Sequence, residues 1–171
     1  NPTAEHCAQG ALALARLHRA GADFTLHRAN ALGPSGWTKL ANDCANRADE
    51  VAPGLREIIA EELPTLNAAW PRDLPVGVIH ADLFPDNMLF LDHKVSGLID
   101  FYFACNDALV YDLAVMLNAW CFENDGSYNL TKGRALIWGY QQERSLSPKE
   151  RAALPILARG AALRFLLTRL Y

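Results

Sequence analysis

Apolar residues recur every three or four positions through the first third of the chain, which is the spacing of one face of an α-helix. Thr3 is placed to cap the first helix, and Gly21 is a stop signal at its end. Pro53 and Gly54 interrupt a second apolar stripe, and we expect a third to end before Pro64, because proline lacks a backbone N–H. The pattern predicts helices over residues 4–20, 37–51 and 55–63, then a connector from Pro64 to Pro75.

The hydrophobic pattern changes period in the middle of the chain. Residues 76–80 form a short apolar run that suits a buried strand. Residues 87–91 and 95–100 have the pattern of a β-hairpin that turns at Asp92, His93 and Lys94. The sequence therefore predicts a strand, a loop and a hairpin between helical segments.

Helical spacing returns over residues 110–121 and, in a shorter stretch, around residues 136–140. Ser147–Glu150 combines a capping serine, a proline at the first helical position and a glutamate at the third, so it opens a last helix that Pro155 can kink or split. The predicted fold is mainly α with a small β-hairpin insert (α+β). A chain of 171 residues can bury a core as one domain.

The acidic residues are unevenly distributed. The net charge is −3, which argues against a nucleic-acid partner bound through a globally basic surface. Residues 82–125 carry eight carboxylates and one lysine, a net charge of −7, whereas the rest of the chain carries +4. A single segment therefore holds the acidity.

Other features of the composition bound the setting. No apolar run approaches the roughly 18 residues that span a bilayer, and no signal segment opens the chain, so we expect no membrane partner and a cytoplasmic location. The cysteines are scattered without a C-x-x-C pair, which favours reduced core thiols over disulfides or a zinc site. They are Cys7, Cys44, Cys105 and Cys121.

The strongest chemical signal is the stretch His80–Asn87, which lies between two predicted strands, with Asp100 at the end of the hairpin. The hairpin would bring the oxygen-bearing side chains of Asp82, Asn87 and Asp100 to one edge. Phosphoryl transfer requires a carboxylate that orients the attacking hydroxyl, together with oxygen ligands that hold Mg²⁺ against the nucleotide phosphates. The grouping indicates that chemistry.

The pattern H-x-D-x-x-x-x-N followed by Ile99-Asp100-Phe101 resembles the catalytic loop and metal-binding aspartate of the protein-kinase-like fold. The variant His80-Ala81-Asp82, with Asp112-Leu113-Ala114 downstream, is more similar to the aminoglycoside and choline phosphotransferase branch. Within that branch, residues 78–87 and 99–107 most resemble bacterial homoserine kinases. The resemblance implies the C-terminal lobe of a kinase-like fold, ATP as co-substrate and a small-molecule alcohol as acceptor, with homoserine favoured.

The resemblance also implies a role for each candidate residue. Asp82 becomes the catalytic base, with His80 supporting the catalytic loop by hydrogen bonding. Asn87 and Asp100 become Mg²⁺ ligands, and Asp112 braces the loop from the following helix. Asp86 and Tyr102 are candidates for contact with the acceptor.

This family also needs a second lobe that covers the ATP phosphates. No G-x-G-x-x-G stretch and no strand-borne lysine precede the first predicted helix. We therefore expect residues 1–171 to form most of the large, C-terminal lobe, with the N-terminal ATP-binding lobe as its partner outside this chain. By itself the chain should transfer phosphate very poorly.

Two alternatives stay open from sequence. The acceptor could be an aminoglycoside, choline, ethanolamine or another alcohol, and the chain could instead be a non-catalytic, kinase-like binding module. Homoserine carries a carboxylate that an arginine or backbone N–H groups should bind. No arginine lies between Asp82 and Asp125, so that group is unassigned, with Arg28 as one candidate.

Overall fold

The computed structural model describes residues 2–92 and 94–171, so the predicted turn residue His93 lies outside the described part. Helices flank two small antiparallel sheets at the centre of the chain. The α-helices are α1 (Ala4–Ala20), α2 (Pro34–Cys44), α3 (Ala48–Val51), α4 (Leu55–Ala69), α5 (Leu109–Trp120), α6 (Leu130–Gln141) and α7 (Pro148–Leu170). The strands are β1 (Val76–Ile79), β2 (Met88–Leu91), β3 (Lys94–Leu98) and β4 (Cys105–Ala108).

Capping boxes begin the first and last helices. Thr3 Oγ1 accepts a hydrogen bond from the His6 N–H at 3.2 Å, and His6 Nδ1 accepts one from the Thr3 N–H at 3.2 Å. At α7, Ser147 Oγ accepts from the Glu150 N–H at 3.2 Å, and a Glu150 carboxylate oxygen accepts from the Ser147 N–H at 2.9 Å. Both predicted starts are confirmed, and α7 continues as one helix through Pro155.

The prediction that a helix ends before Pro64 is wrong. Helix α4 continues through Pro64 to Ala69, so the first half of the expected connector is helical. Proline removes one backbone hydrogen bond from the helix, but continuing the helix buries Leu66 on the same side as Ile59. The gain from that burial outweighs the missing bond.

The strands form two separate pairs. Strand β2 pairs with β3, as the hairpin pattern predicted, and β1 pairs with β4. Strand β4 was not predicted, because Asn106 and Asp107 give it no apolar alternation. It forms by pairing with β1, in a register that sets Val76 opposite Ala108 and Ile79 opposite Cys105.

The core has two parts. The larger cluster joins α1, α5 and α6 to the strands and to the middle of α7. The smaller cluster lies between α2, α4 and the end of α7, with Trp37, Ile59 and Leu163 among its members. Helix α7 therefore contributes to both clusters and spans the molecule behind the loop between β1 and β2.

All four cysteines are buried and unpaired, as the sequence predicted. Burial raises the pKa of Cys105 to about 11, so that thiol stays protonated. Across the described residues, no helix is long and apolar enough to cross a membrane.

Candidate active site

The loop between β1 and β2 carries the motif His80–Asn87. Within it, Ala81 has a φ of 64°, in the left-handed region that residues other than glycine rarely adopt. Such a conformation costs roughly 1–3 kcal/mol and persists only where the surroundings hold it. Contacts from Asp112, Trp120 and Arg164 hold the loop in place.

The carboxylate of Asp112, fully buried in α5, accepts two backbone hydrogen bonds from this loop. Oδ2 accepts from the His80 N–H and Oδ1 from the Ala81 N–H, both at 2.7 Å. His18 of α1 places Nε2 3.1 Å from Oδ2, and its Nδ1 lies 2.7 Å from the Tyr140 hydroxyl of α6. Neutral His18 with its proton on Nε2 satisfies both of these bonds. Asp112 thus links the loop to three helices.

Arg164 of α7 also contacts the loop. Its Nη1 donates to the Ala81 carbonyl, and the side chain is 98% buried. The guanidinium lies 4.5 Å from the Phe165 ring centroid and 5.5 Å from that of Phe103. Trp120 adds a bond from Nε1 to the Leu83 carbonyl at 2.8 Å. Sequence reasoning missed Arg164, because it lies 83 residues after Ala81 in a helix with no local motif.

His80 is completely buried, and both of its ring nitrogens are engaged. Nε2 lies 2.9 Å from the Ile99 carbonyl at the end of the hairpin, and Nδ1 accepts from the Asp82 N–H at 3.3 Å. The ring also packs against Phe101, with centroids 4.7 Å apart. His80 therefore joins the loop to the hairpin end and does not face the solvent.

Asn87 brings the three predicted oxygen-bearing residues together. Its side-chain Nδ2 donates to the Asp82 backbone carbonyl at 2.8 Å, and its backbone carbonyl accepts from the Ile99 N–H at 3.0 Å. The next residue, Asp100, has a φ of 60°, which turns the chain out of the hairpin. Its exposed carboxylate accepts from the Tyr102 N–H at 3.4 Å.

The surroundings of Asp82 act on its ionisation in opposite directions. Burial raises the pKa of this carboxyl above its ordinary value, and the negative charge of Asp100 adds to the increase. The charges of Arg164 and Arg169 lower it but do not cancel the effect of burial. Asp82 therefore holds a proton more readily than a free aspartate does, as a general base requires.

The two candidate acceptor contacts lie on the surface. Asp86 is exposed in a turn of 3₁₀-helix, and Tyr102 is 72% exposed, with its carbonyl accepting from Arg28 at 2.6 Å. Arg28 Nη1 lies 3.4 Å from the Ala104 carbonyl as well, so its guanidinium fixes the segment after Asp100.

The sequence profile of the phosphotransferase enzyme family matches residues 1–146 of this chain. The chain belongs to the phosphotransferase enzyme family. It is also 67% identical, over 169 residues, to a homoserine kinase from Xanthobacter autotrophicus. That alignment covers 99% of this chain and 53% of the relative, so the chain spans about half the length of the curated relatives that it matches.

Solved structures of other phosphotransferases share the fold. An aminoglycoside-3'-phosphotransferase of type VIII matches 98% of this chain and 62% of its own, with a TM-score of 0.62 at 23% identity. A choline/ethanolamine kinase family protein from Mesorhizobium loti matches 96% of this chain and 51% of its own, with a TM-score of 0.61 at 20% identity. The predicted fold class, a helical kinase-like lobe with a small antiparallel β insert, is confirmed.

Proposed function

We propose that this chain is the large lobe of an ATP-dependent homoserine kinase, which converts L-homoserine and ATP into O-phospho-L-homoserine and ADP. The observation that carries the proposal is the convergence of Asp82 and Asp100 around Asn87, whose hydrogen bonds fix the loop against the hairpin end. Homoserine as the acceptor rests on the 67% identity to a homoserine kinase over nearly the whole chain.

In this proposal Asp82 orients the side-chain hydroxyl of homoserine and accepts its proton. The hydroxyl oxygen forms a bond to the γ-phosphorus of ATP while the bond from that phosphorus to the ADP oxygen breaks. Positioning and electrostatic stabilisation supply most of the catalysis in reactions of this kind. The bonds of Asp112 and Arg164 to the loop backbone supply the positioning, because they fix the His80 N–H and both the N–H and the carbonyl of Ala81.

The residues at the site suit Mg²⁺, which prefers hard oxygen ligands. Because the Asn87 nitrogen bonds to the Asp82 carbonyl, the amide oxygen is the atom left for a cation, and Asp100 offers an exposed carboxylate. No group of three His, Cys, Asp or Glu side chains in residues 2–92 and 94–171 could hold a metal ion. We expect Asn87 and Asp100 to hold Mg²⁺ together with nucleotide phosphates and water. When bound, the ion neutralises charge on the phosphates.

The ATP-binding lobe is the partner that this proposal requires. The chain covers 53% of its homoserine kinase relative, and the Asp82 loop supplies a base and metal ligands but no cover for the phosphates. Four unpaired thiols and a nucleotide co-substrate fit a cytoplasmic enzyme.

An acceptor screen on the intact protein, with this chain joined to its ATP-binding lobe, tests the proposal. ADP release is measured with L-homoserine, choline, ethanolamine and an aminoglycoside side by side. We expect kcat/KM for homoserine to exceed the others by at least about 100-fold, because a site that pairs with specific polar groups discriminates strongly. Preferred turnover of another acceptor would replace homoserine, and no turnover with any of them would favour the binding module.

A further inference from the structure

A pocket of about 480 Å³ lies beside the catalytic loop, between α5 and α7. Phe84, two residues after Asp82, forms part of its wall. Asn118 of α5 and the α7 residues Phe165 and Arg169 also line it. The pocket therefore combines an apolar wall, one amide and one cation, next to the proposed base.

Arg169 is the cation of this pocket. Its guanidinium lies 5.5 Å from the Phe165 ring centroid and 5.8 Å from that of Phe84. The side chain is exposed, and no hydrogen bond or ion pair occupies its N–H groups within the part of the chain that the structure describes. Its charge is close enough to Asp82 to lower the pKa of that carboxyl.

The other two arginines near the loop already donate hydrogen bonds to backbone carbonyls. Arg28 donates to the Tyr102 and Ala104 carbonyls, and Arg164 is buried with Nη1 on the Ala81 carbonyl. Arg28 is exposed as well, but it lies outside this pocket; among these three, Arg169 alone lines the pocket and makes no hydrogen bond to another described residue. Guanidinium binds a carboxylate through two parallel hydrogen bonds, and the rings that stack on it limit its orientation.

A cation here also acts against other acceptors of this family. The quaternary ammonium of choline and the amines of an aminoglycoside would be repelled by Arg169, whereas an amino acid offers a carboxylate. We propose that Arg169 binds the carboxylate of the acceptor, in the pocket between the catalytic loop, α5 and α7. The inference rests on the proposed function and assigns the group that recognises homoserine.

The test compares two acceptors in the intact protein. L-Homoserine carries the carboxylate, and 3-aminopropan-1-ol is the same molecule without it. In Arg169→Met we expect kcat/KM for homoserine to fall roughly 100-fold, mainly through KM, because two charge-assisted hydrogen bonds are lost. The values for 3-aminopropan-1-ol and the KM for ATP should change less than about 3-fold, because neither depends on the carboxylate.

Two further variants complete the design. Arg169→Lys keeps the charge but loses the paired donors, so its kcat/KM for homoserine should fall roughly 10-fold. This variant serves as the test if the methionine variant does not fold. Arg159→Met is the matched control, because Arg159 is exposed on the same helix and pairs with Glu62 at 2.6 Å.

The outcomes separate the two proposals. If the wild type does not phosphorylate homoserine, the proposed function fails. If the wild type does so but the Arg169 variants lose activity equally with both acceptors, or lose none, the carboxylate assignment is overturned and the function stands.

Discussion

At the residue scale, Asp82 is a carboxyl that the fold makes harder to ionise. Burial outweighs the neighbouring charges of Arg164 and Arg169, so its pKa lies above the ordinary value for aspartate. A native state that binds this proton more tightly than the unfolded chain loses stability as the pH rises from the ordinary pKa through the raised one. The ionised form of Asp82, which the proposed role as a base requires, therefore makes the folded protein less stable.

The first prediction follows from the loss of folding stability that accompanies ionisation of Asp82. At pH 7, Asp82→Asn should raise the free energy of unfolding of the intact protein without nucleotide or Mg²⁺, because a neutral amide replaces a carboxyl whose ionisation burial disfavours. Below the ordinary aspartate pKa the difference should disappear, since the wild-type carboxyl is then neutral. Urea unfolding at both pH values measures it, with exposed Asp73→Asn as the control. A less stable Asp82→Asn protein at pH 7 would contradict the account.

The motif residues were predictable because their spacing is local. Asp82 and Asn87 lie on one loop, and a hairpin pattern was enough to place Asp100 beside them. Arg164 and Arg169 were not predictable, because only the packing of α7 against the loop brings them there.

At the element scale, buried hydrogen bonds between polar side chains and the backbone hold helices and strands together. The hydrophobic pattern predicts each of these elements but not the bonds between them. Asp112 connects the end of β1 to α5, and through His18 and Tyr140 it reaches α1 and α6. The starts of α1 and α7 could be predicted because each capping box consists of four consecutive residues. The continuation of α4 and the presence of β4 depend on tertiary partners, so sequence reasoning missed both.

The second prediction concerns this buried anchor. Asp112→Ala should lower the free energy of unfolding by about 3–5 kcal/mol, because the backbone N–H groups of His80 and Ala81 and the ring of His18 all lose their acceptor. Asp86→Ala is the matched control on the exposed side of the loop, where we expect a change within about 0.5 kcal/mol. Denaturant unfolding monitored by circular dichroism measures both. A loss below about 1 kcal/mol for Asp112→Ala would show that the loop does not depend on this carboxylate.

At the scale of the whole molecule, helix α7 and the acidic segment, residues 82–125, meet at the candidate active site. Helix α7 joins both core clusters and carries Arg164 and Arg169 to the loop, where they meet a segment with a net charge of −7. Bound Mg²⁺ and these arginines would offset part of that charge. The composition marked this segment as unusual, and the fold arranges several of its carboxylates around one loop.

The third prediction is that residues 1–171 alone turn over homoserine and ATP at least about 1,000-fold more slowly than the intact protein, because the proposed function assigns the cover of the ATP phosphates to a second lobe. Initial rates of ADP release measure both, and circular dichroism of the isolated chain confirms that it is helical. Comparable rates would show that the second lobe is dispensable for catalysis.

The kcat of Asp82→Asn in the intact protein, measured with saturating ATP and homoserine, tests most directly whether Asp82 is the catalytic base. We expect a loss of about 100- to 10,000-fold, because the amide cannot accept the proton of the acceptor hydroxyl. The KM for ATP and the helical circular dichroism signal should stay close to those of the wild type. A folded Asp82→Asn protein that keeps its wild-type kcat would contradict the claim that this loop performs phosphoryl transfer.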